Sequence, residues 1–281
     1  MALGLSQAQI LDGIKHSRRK FGMDECGVDG HSWNKETMKM KLTRMLAGSI
    51  QASVGSCALV ILLSVAWQAQ AADAKPLYSS MAPLDQYLMA DRNTEIKLAR
   101  SAAPESISKD AEVLVLGRRG YETAVKGKNG FVCVVERSWM APFDDPEFLN
   151  PDQRLPLCLN PPAARSHLPL TFKMTELALA GRSKTQMFDS IKAAFDRKEL
   201  PLPEPGEVCY MMSKQQYFGA KYGNAEPHLM FWVPKTDDMF WGAGLPGSPV
   251  YVHQYSPEPI TEFSISVGKW SDGTPGPADA P

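Results

Sequence analysis

"GYETAVKGKNGFVC", residues 120–133, is the stretch on which the fold reading turns. Its Asn129-Gly130 pair is the strongest short hairpin signal a sequence carries, because both central positions of a type I′ turn need φ > 0. With a two-residue loop there, a strand from Tyr121 to about Gly127 folds back on one from Phe131 to Arg137. Lys128 then faces Phe131, Val125 faces Val134 and Glu122 faces Arg137, which matches apolar with apolar and opposite charges with each other. A four-residue loop over Gly127–Gly130 is the alternative. Upstream, Val113–Leu116 reads as a first strand and "GRRG" as its turn, so the run is expected to be a three-stranded meander.

Working outward, "DRNTEIKLARSAAP" (91–104) predicts an N-terminal helix. Asp91 or Asn93 caps it, Glu95 suits its first turn, Pro104 lies just past its end, and Ile96, Ala99 and Ala103 face inward. On the other side, "NPDQRLPLCLNPPAAR" (150–165) is crowded with Pro151, Pro156, Pro161 and Pro162, and is expected to build no ladder of hydrogen bonds. A helical hairpin follows. Its first helix starts at Pro169, carries Leu170, Met174, Leu177 and Ala178 on one face and ends at Gly181. Ser183 and Gln186 form a capping box for the second, whose stripe is Met187, Phe188, Ile191, Ala194 and Phe195. "LPLPEPGE" (200–207) is a stiff extended connector, and "EVCYMM", "HLMFWV", "PVYVHQY" and "TEFSISV" are four further strands. Strands grouped on either side of a helical block argue for an α+β fold: a largely antiparallel sheet, meander plus about four C-terminal strands, with the helical hairpin and the N-terminal helix packed on it. The expected domain is 84–270, with 72–83 a lead-in and 271–281 a flexible tail.

Residues 38–71 suggest an address. Lys39, Lys41 and Arg44 lead into an uncharged run from Met45 to Trp67, densest at "ALVILLSVAW", with Ala69-Gln70-Ala71 directly after. A basic n-region, an apolar h-region and a small-x-small site read as a secretory signal peptide cut before Ala72. The rival is a membrane anchor, but Gly48, Ser49, Gln51, Ser53, Gly55 and Ser56 dilute the first half and leave an apolar core short for a span. Cys57 precedes the densest part of the run, whereas a lipidated cysteine would follow it. Residues 1–37 are read as a mis-assigned or disordered extension, since Met38 and Met40 offer later starts. The expected location is periplasmic or secreted, with no membrane span once the signal is cleaved. Five acidic and eight basic residues precede the cut, leaving a net charge of about −4 and no basic stripe for nucleic acid.

Export leaves Cys133, Cys158 and Cys209, of which two are expected to pair. Cys133–Cys158, 25 positions apart, is the first choice and would contribute roughly 3 kcal/mol by loop closure; Cys133–Cys209 is the second.

Chemistry-bearing motifs are thin. Gly242–Gly247 matches GxGxxG but leads into a strand, not the helix that phosphate binding needs. His167, beside Arg165, reads as a surface or capping residue. Asp144/Asp145 and Asp237/Asp238 read as solvated turn residues. Met211, Met212, Met230 and Met239 read as core filler, so no metal and no cofactor is expected. Strand alternation gives the one constellation of interest. In "HLMFWV" it sets Leu229, Phe231 and Val233 on one face and His228, Met230 and Trp232 on the other. In "VYVHQY" it sets Val250 and Val252 against Tyr251, His253 and Tyr255. The aliphatic faces suit a core beneath the helices. His228, Trp232, Tyr251 and His253 would form an aromatic floor for a small ligand, a second core layer, or a surface half-covered by the loop around Trp241.

The run "ARSAAPESIS…VLVLGRRGYETAVKGKNGFVCVVERSW", with "CLNPPAAR" downstream, resembles a group of exported bacterial proteins of unknown function over roughly residues 84–270. That resemblance implies export and a bacterial source and carries no active site across. The sequence therefore favours a non-catalytic envelope or secreted module with a small molecule as its one expected partner. The alternative is a hydrolase-like enzyme on an envelope or extracellular substrate, with His228 or His253 as base.

Overall fold

Val113–Leu116 and Cys133–Val135 are unbroken apolar runs, and every residue in them is buried. Such strands belong inside a sheet, whereas "GYETAV", with Glu122 and Thr123 exposed, suits an edge. The computed structural model, which describes residues 78–237 and 241–277, places them accordingly. β1 (Glu112–Gly117) has β2 (Gly120–Val125) antiparallel on its outer side and β3 (Val132–Glu136) parallel on its inner side.

The expected meander and its hairpin register are therefore corrected. Val125 pairs with Val113 and Glu122 with Val115, while Val134 lies opposite Leu157. Residues 126–131 cross over the start of β1 instead of turning back. Lys128 N donates to Asp110 O and Glu112 N to Phe131 O, both at 2.8 Å. The crossing explains Gly127: a Cβ there would sit 2.3 Å from Glu112 N. Asn129 shapes the turn with its own side chain, accepting from Phe131 N and donating to Ile107 O. Only Gly130 of the pair has positive φ, 79°, so the type I′ condition is not met.

The sheet continues through β4 (Leu155–Leu159), β5 (Cys209–Met211), β6 (His228–Pro234), β7 (Val250–His253) and β8 (Ile260–Ser266). Its order is β2-β1-β3-β4-β5-β6-β8-β7, mixed but mostly antiparallel, which with the helices makes the fold α+β. The proline-rich segment is a second correction, because β4 is an interior strand. Pro156 is tolerated opposite Val135, whose carbonyl points away from β4 and accepts from Tyr121 Oη at 2.8 Å. That pair exchanges no ladder bonds, and β5 pairs only with Cys158 and Leu159, so the missing N–H deprives no partner. Cys133 and Cys158 face each other across β3 and β4 and form a disulfide, with Cys209 buried and free.

One face of the sheet carries α1 (Arg92–Arg100), capped by Asp91 through the amides of Asn93 and Thr94, and the one-turn α2 (Glu105–Ser108). Ala99, Ala102 and Ala103 pack there on Val113, Val135 and the disulfide. α3 (Pro161–Leu179) covers the other face, and α4 (Lys184–Asp196) packs against α3. α3 begins eight residues before the expected Pro169, because Asn160 accepts from Ala163 N and Pro161 fits a first turn. α4 carries the expected Ser183–Gln186 capping box. Residues 271–274, expected to be flexible, form an anchored turn: Ser271 N donates to Met212 O, and Lys214 pairs with Asp272. The expected extension, signal segment and final residues 278–281 lie outside the described residues. Among the described residues no helix is long and apolar enough to cross a membrane.

Gly127→Ala tests the crossing. The added methyl meets backbone that cannot swing aside, so the variant should lose about 1–3 kcal/mol, read as a lower melting midpoint. A hairpin with its turn at Asn129-Gly130 would tolerate the change, and an unaltered midpoint would return the segment to that reading.

Candidate functional site

β6 and β7 do not pair with each other; β8 runs between them and aligns their side chains. Trp232 lies opposite Glu262 and Glu262 opposite His253; Met230 lies opposite Ser264 and Ser264 opposite Tyr251; His228 faces Ser266. Residues directly opposite in a ladder share a face, so His228, Trp232, Tyr251 and His253 do converge on one side of the sheet. That side lines a cavity of about 740 Å³. Trp232 lies deep, 7 % exposed, and Tyr251 is at the rim, 40 % exposed.

The expectation for the two faces is reversed, however. The helices cover the histidine and aromatic face, while Leu229, Phe231, Val233, Val250 and Val252 are only half-buried on the other. The loop carrying Trp241 covers that second face, its indole stacked on Phe263 at 4.4 Å. The reason is His167. It was expected at the surface, but the early start of α3 puts it a full turn inside the helix, where its ring stacks on Trp232 at 4.3 Å and 11°.

A line of polar partners runs through this stack. Thr171 Oγ1 donates to Glu136 Oε1 at 2.5 Å, and His167 Nε2 lies 3.0 Å from the same oxygen. Beyond the stack, Trp232 Nε1 donates to Glu262 Oε2 at 2.9 Å, and Ser264 Oγ donates to Glu262 Oε1 at 3.3 Å. Burial opposes a charge on His167, but Glu136, with Glu258 and Glu262 behind it, outweighs burial and raises its pKa. His228 is the opposite case. Burial lowers its pKa, and its Nδ1 must carry the proton to meet Glu226 O at 2.7 Å, leaving the lone pair of the neutral ring on Nε2.

The remaining carboxyls are crowded. Glu258 follows Pro257 in the loop between β7 and β8. Part of the residue reaches solvent, yet protein atoms surround its carboxyl. That desolvation, opposed by His167 and assisted by Glu262 and Glu136, pushes its pKa up to about 7. Glu207 is raised as well, by burial first. Its Oε1 accepts from Ser166 Oγ and Glu204 N, while Oε2 has no partner. Gln153 donates to Phe218 O at 2.7 Å and leaves Oε1 without a partner. Asp145, read as a turn residue, also lines the cavity and accepts from Tyr222 Oη at 3.0 Å. Asp238 and Met239 lie outside the described residues. Among the described residues no three His, Cys, Asp or Glu side chains are grouped to hold a metal ion.

Glu136, His167, Glu207, Glu258 and Glu262 were thus not read as site residues. Alternation in "TEFSISV" does put Glu262, Ser264 and Ser266 on one face, but that pattern resembles a strand facing water. Only the position of β8 between the two aromatic strands makes it interior.

The Glu258 environment gives a pH dependence with a defined sign. Because the folded pKa lies above the ordinary carboxylate value, the stabilising contribution of the protonated form is complete at low pH and is lost as pH rises through about 7. Glu258→Gln, permanently neutral, should match the parent near pH 5 and exceed its stability above pH 7 by at most about 3 kcal/mol. Melting midpoints of the two proteins across that range would measure it; a constant difference would mean Glu258 titrates normally.

Compared with known proteins, the chain matches no protein-family model, no curated protein and no solved structure.

Proposed function

We propose that this chain is an exported, non-catalytic binding module that holds a small molecule in the cavity beneath α3. The observation that carries the reading is the convergence of His228, Trp232, Tyr251 and His253 on one cavity. Its volume, about 740 Å³, falls in the roughly 300–1,000 Å³ range of small-molecule sites. Leu155, Leu157, Leu170, Met211 and Ile260 give it apolar walls, and a few fixed polar groups give it direction. The alternative enzyme needs His228 or His253 held between a carboxylate and a nucleophile or water. Instead, His228 Nδ1 is held by a main-chain carbonyl and His253 lies flat against Tyr255, 5.8 Å between centroids. Such placements suit contact with a ligand better than proton relay.

Export belongs to the same proposal. It rests on the n-region, h-region and Ala69-Gln70-Ala71 site, and on the resemblance to exported bacterial proteins. The Cys133–Cys158 bridge is of a kind that an oxidising compartment sustains, which fits a periplasmic or secreted protein. Protein recovered from its native host should begin at Ala72; an intact mass that retains residues before Ala69 would overturn cleavage there.

Trp232→Ala cannot separate binding from folding, since loss of a buried, stacked indole should itself cost about 3–5 kcal/mol. The rim residues can. In a thermal-shift screen of the intact protein against a broad metabolite panel, at least one small molecule should raise the melting midpoint. Tyr251→Ala and His253→Ala should shift stability by no more than about 0.5 kcal/mol, yet weaken that ligand about tenfold. A panel without a hit, or a hit indifferent to both variants, ends the binding reading.

A further inference from the structure

We propose that the ligand of this cavity is a small organic cation, an amine or quaternary ammonium on an apolar body. The inference rests on the binding reading above and adds the chemistry that the walls select. Among the described residues six carboxyl-bearing ones line the cavity, Glu136, Asp145, Glu207, Glu226, Glu258 and Glu262, and no lysine or arginine does. Of the three imidazoles, His167 is engaged by Glu136 and His228 is kept neutral by burial. Glu136 is offset by His167 and Glu258 is part-protonated near pH 7, yet the remaining carboxylates leave the cavity net negative inside low-dielectric walls, where a charge counts for more than at a surface.

A second observation is independent of the charge count. Glu207 and Gln153, 4 % and 2 % exposed, both line the cavity, and each has one buried oxygen without a hydrogen-bond partner. Both orphan atoms are acceptors. Neither oxygen is open to the cavity as the side chains stand, so a ligand reaches them only as these side chains turn toward it. The group that meets them must then donate: an ammonium brings up to three N–H donors, an alcohol one and a carboxylate none. The walls also present aromatic surface from Trp232, Tyr251, Tyr255, Tyr222 and Phe218, the surface on which ammonium groups settle by cation–π attraction.

A bare metal ion fits less well. Among the described residues the acids are dispersed around an apolar chamber, not gathered into a coordination shell. The repulsion among them is what lifts Glu258, after its burial, and a cation in the chamber would relieve both.

The test is a set of isosteres titrated calorimetrically into the intact, disulfide-bonded protein. It would use 2-phenylethylammonium, cyclohexylammonium and benzyltrimethylammonium, each with the alcohol and the carboxylate of closest shape. Trp232 fluorescence would report occupancy of the cavity. The expected order is cation first, alcohol at least about tenfold weaker and carboxylate weakest, with the spread narrowing at high salt. Glu258→Gln and Glu262→Gln should each shrink the gap between cation and alcohol. Two variants guard against one that fails to fold. Benzyltrimethylammonium has no N–H, so if it matches the primary amines, charge dominates; if it falls behind them, the orphan acceptors contribute. Alcohols or carboxylates that bind as tightly as the cations would overturn the charge inference and leave the binding module standing. No response to any member at millimolar concentration would overturn the cation inference, and the metabolite panel above would still decide the binding module.

Discussion

The stack of His167 on Trp232 decides which side of this sheet is inside. β6 offers two faces that hydrophobicity alone ranks the wrong way: Leu229, Phe231 and Val233 against His228, Met230 and Trp232. The first set is the more hydrophobic, but the second contains groups that helix α3 can satisfy. The indole gives its N–H to Glu262 and its face to His167, and His167 in turn meets Glu136. Four elements are tied by that one line, since Thr171 and His167 belong to α3, Glu136 to β3, Trp232 to β6 and Glu262 to β8, and Tyr255, in the loop before β8, adds its hydroxyl 3.5 Å from Glu262 Oε1. Once α3 is committed there, the aliphatic face must make do with the Trp241 loop.

Glu136 has a neighbour with the opposite task. Arg137 is fully buried on the α1 side of the sheet, where Nη2 meets Glu95 Oε1 at 2.8 Å and Nε donates to Tyr87 O at 2.7 Å. Glu95 Oε1 also accepts from Leu116 N, and Arg137 Nη1 donates to Val135 O, so the pair is held by main-chain groups on both sides. Adjacent residues at the end of β3 thus send one charge into each half of the molecule. The Arg137 side is closed, its charge paired and its guanidinium bonded through all three nitrogens, which offsets the cost of burying it. The Glu136 side opens onto a chamber in which several acids share too few donors. This asymmetry separates a structural charge cluster from a functional one better than burial does, because Glu95 and Glu207 are buried to the same degree.

Much of the fold was legible, and the failures share a cause. The α+β class, the Asp91 cap, the Ser183–Gln186 capping box and the Cys133–Cys158 bridge all follow from local chemistry, and local chemistry is what a sequence displays. Misread were the features set by what lies next to a segment. Asn129-Gly130 has the residues of a tight hairpin, but β1 needed a partner on its other side, and Gly127 allowed the chain to cross to it. Pro156 marks a breaker until its ladder position is known. Asn160-Pro161 was the legible signal that was passed over, and missing it displaced the helix start and with it His167. The four aromatic and histidine residues were found by alternation. Their acidic partners were not, because a glutamate in a strand looks the same whether it faces water or a chamber.

A chamber lined this way is a poor solution for stability alone. Replacing Glu207, Glu258 or Glu262 by apolar residues of like volume would remove desolvated carboxyls and leave fewer orphan atoms, and proteins gain stability from such changes when nothing else depends on the groups. Glu262 has an evident structural use, in holding Trp232. Glu258 has none of that kind: it sits beyond the stack, with its pKa lifted toward neutrality by burial and by two other acids. Glu207 spends one oxygen on Ser166 and Glu204 and keeps the other unmatched. A fold that elsewhere bonds Arg137 through all three of its nitrogens has the means to pair these as well. Among the described residues it instead sets six carboxyl-bearing residues and two buried, unmatched oxygens in the walls of one cavity of about 740 Å³, with no lysine or arginine beside them.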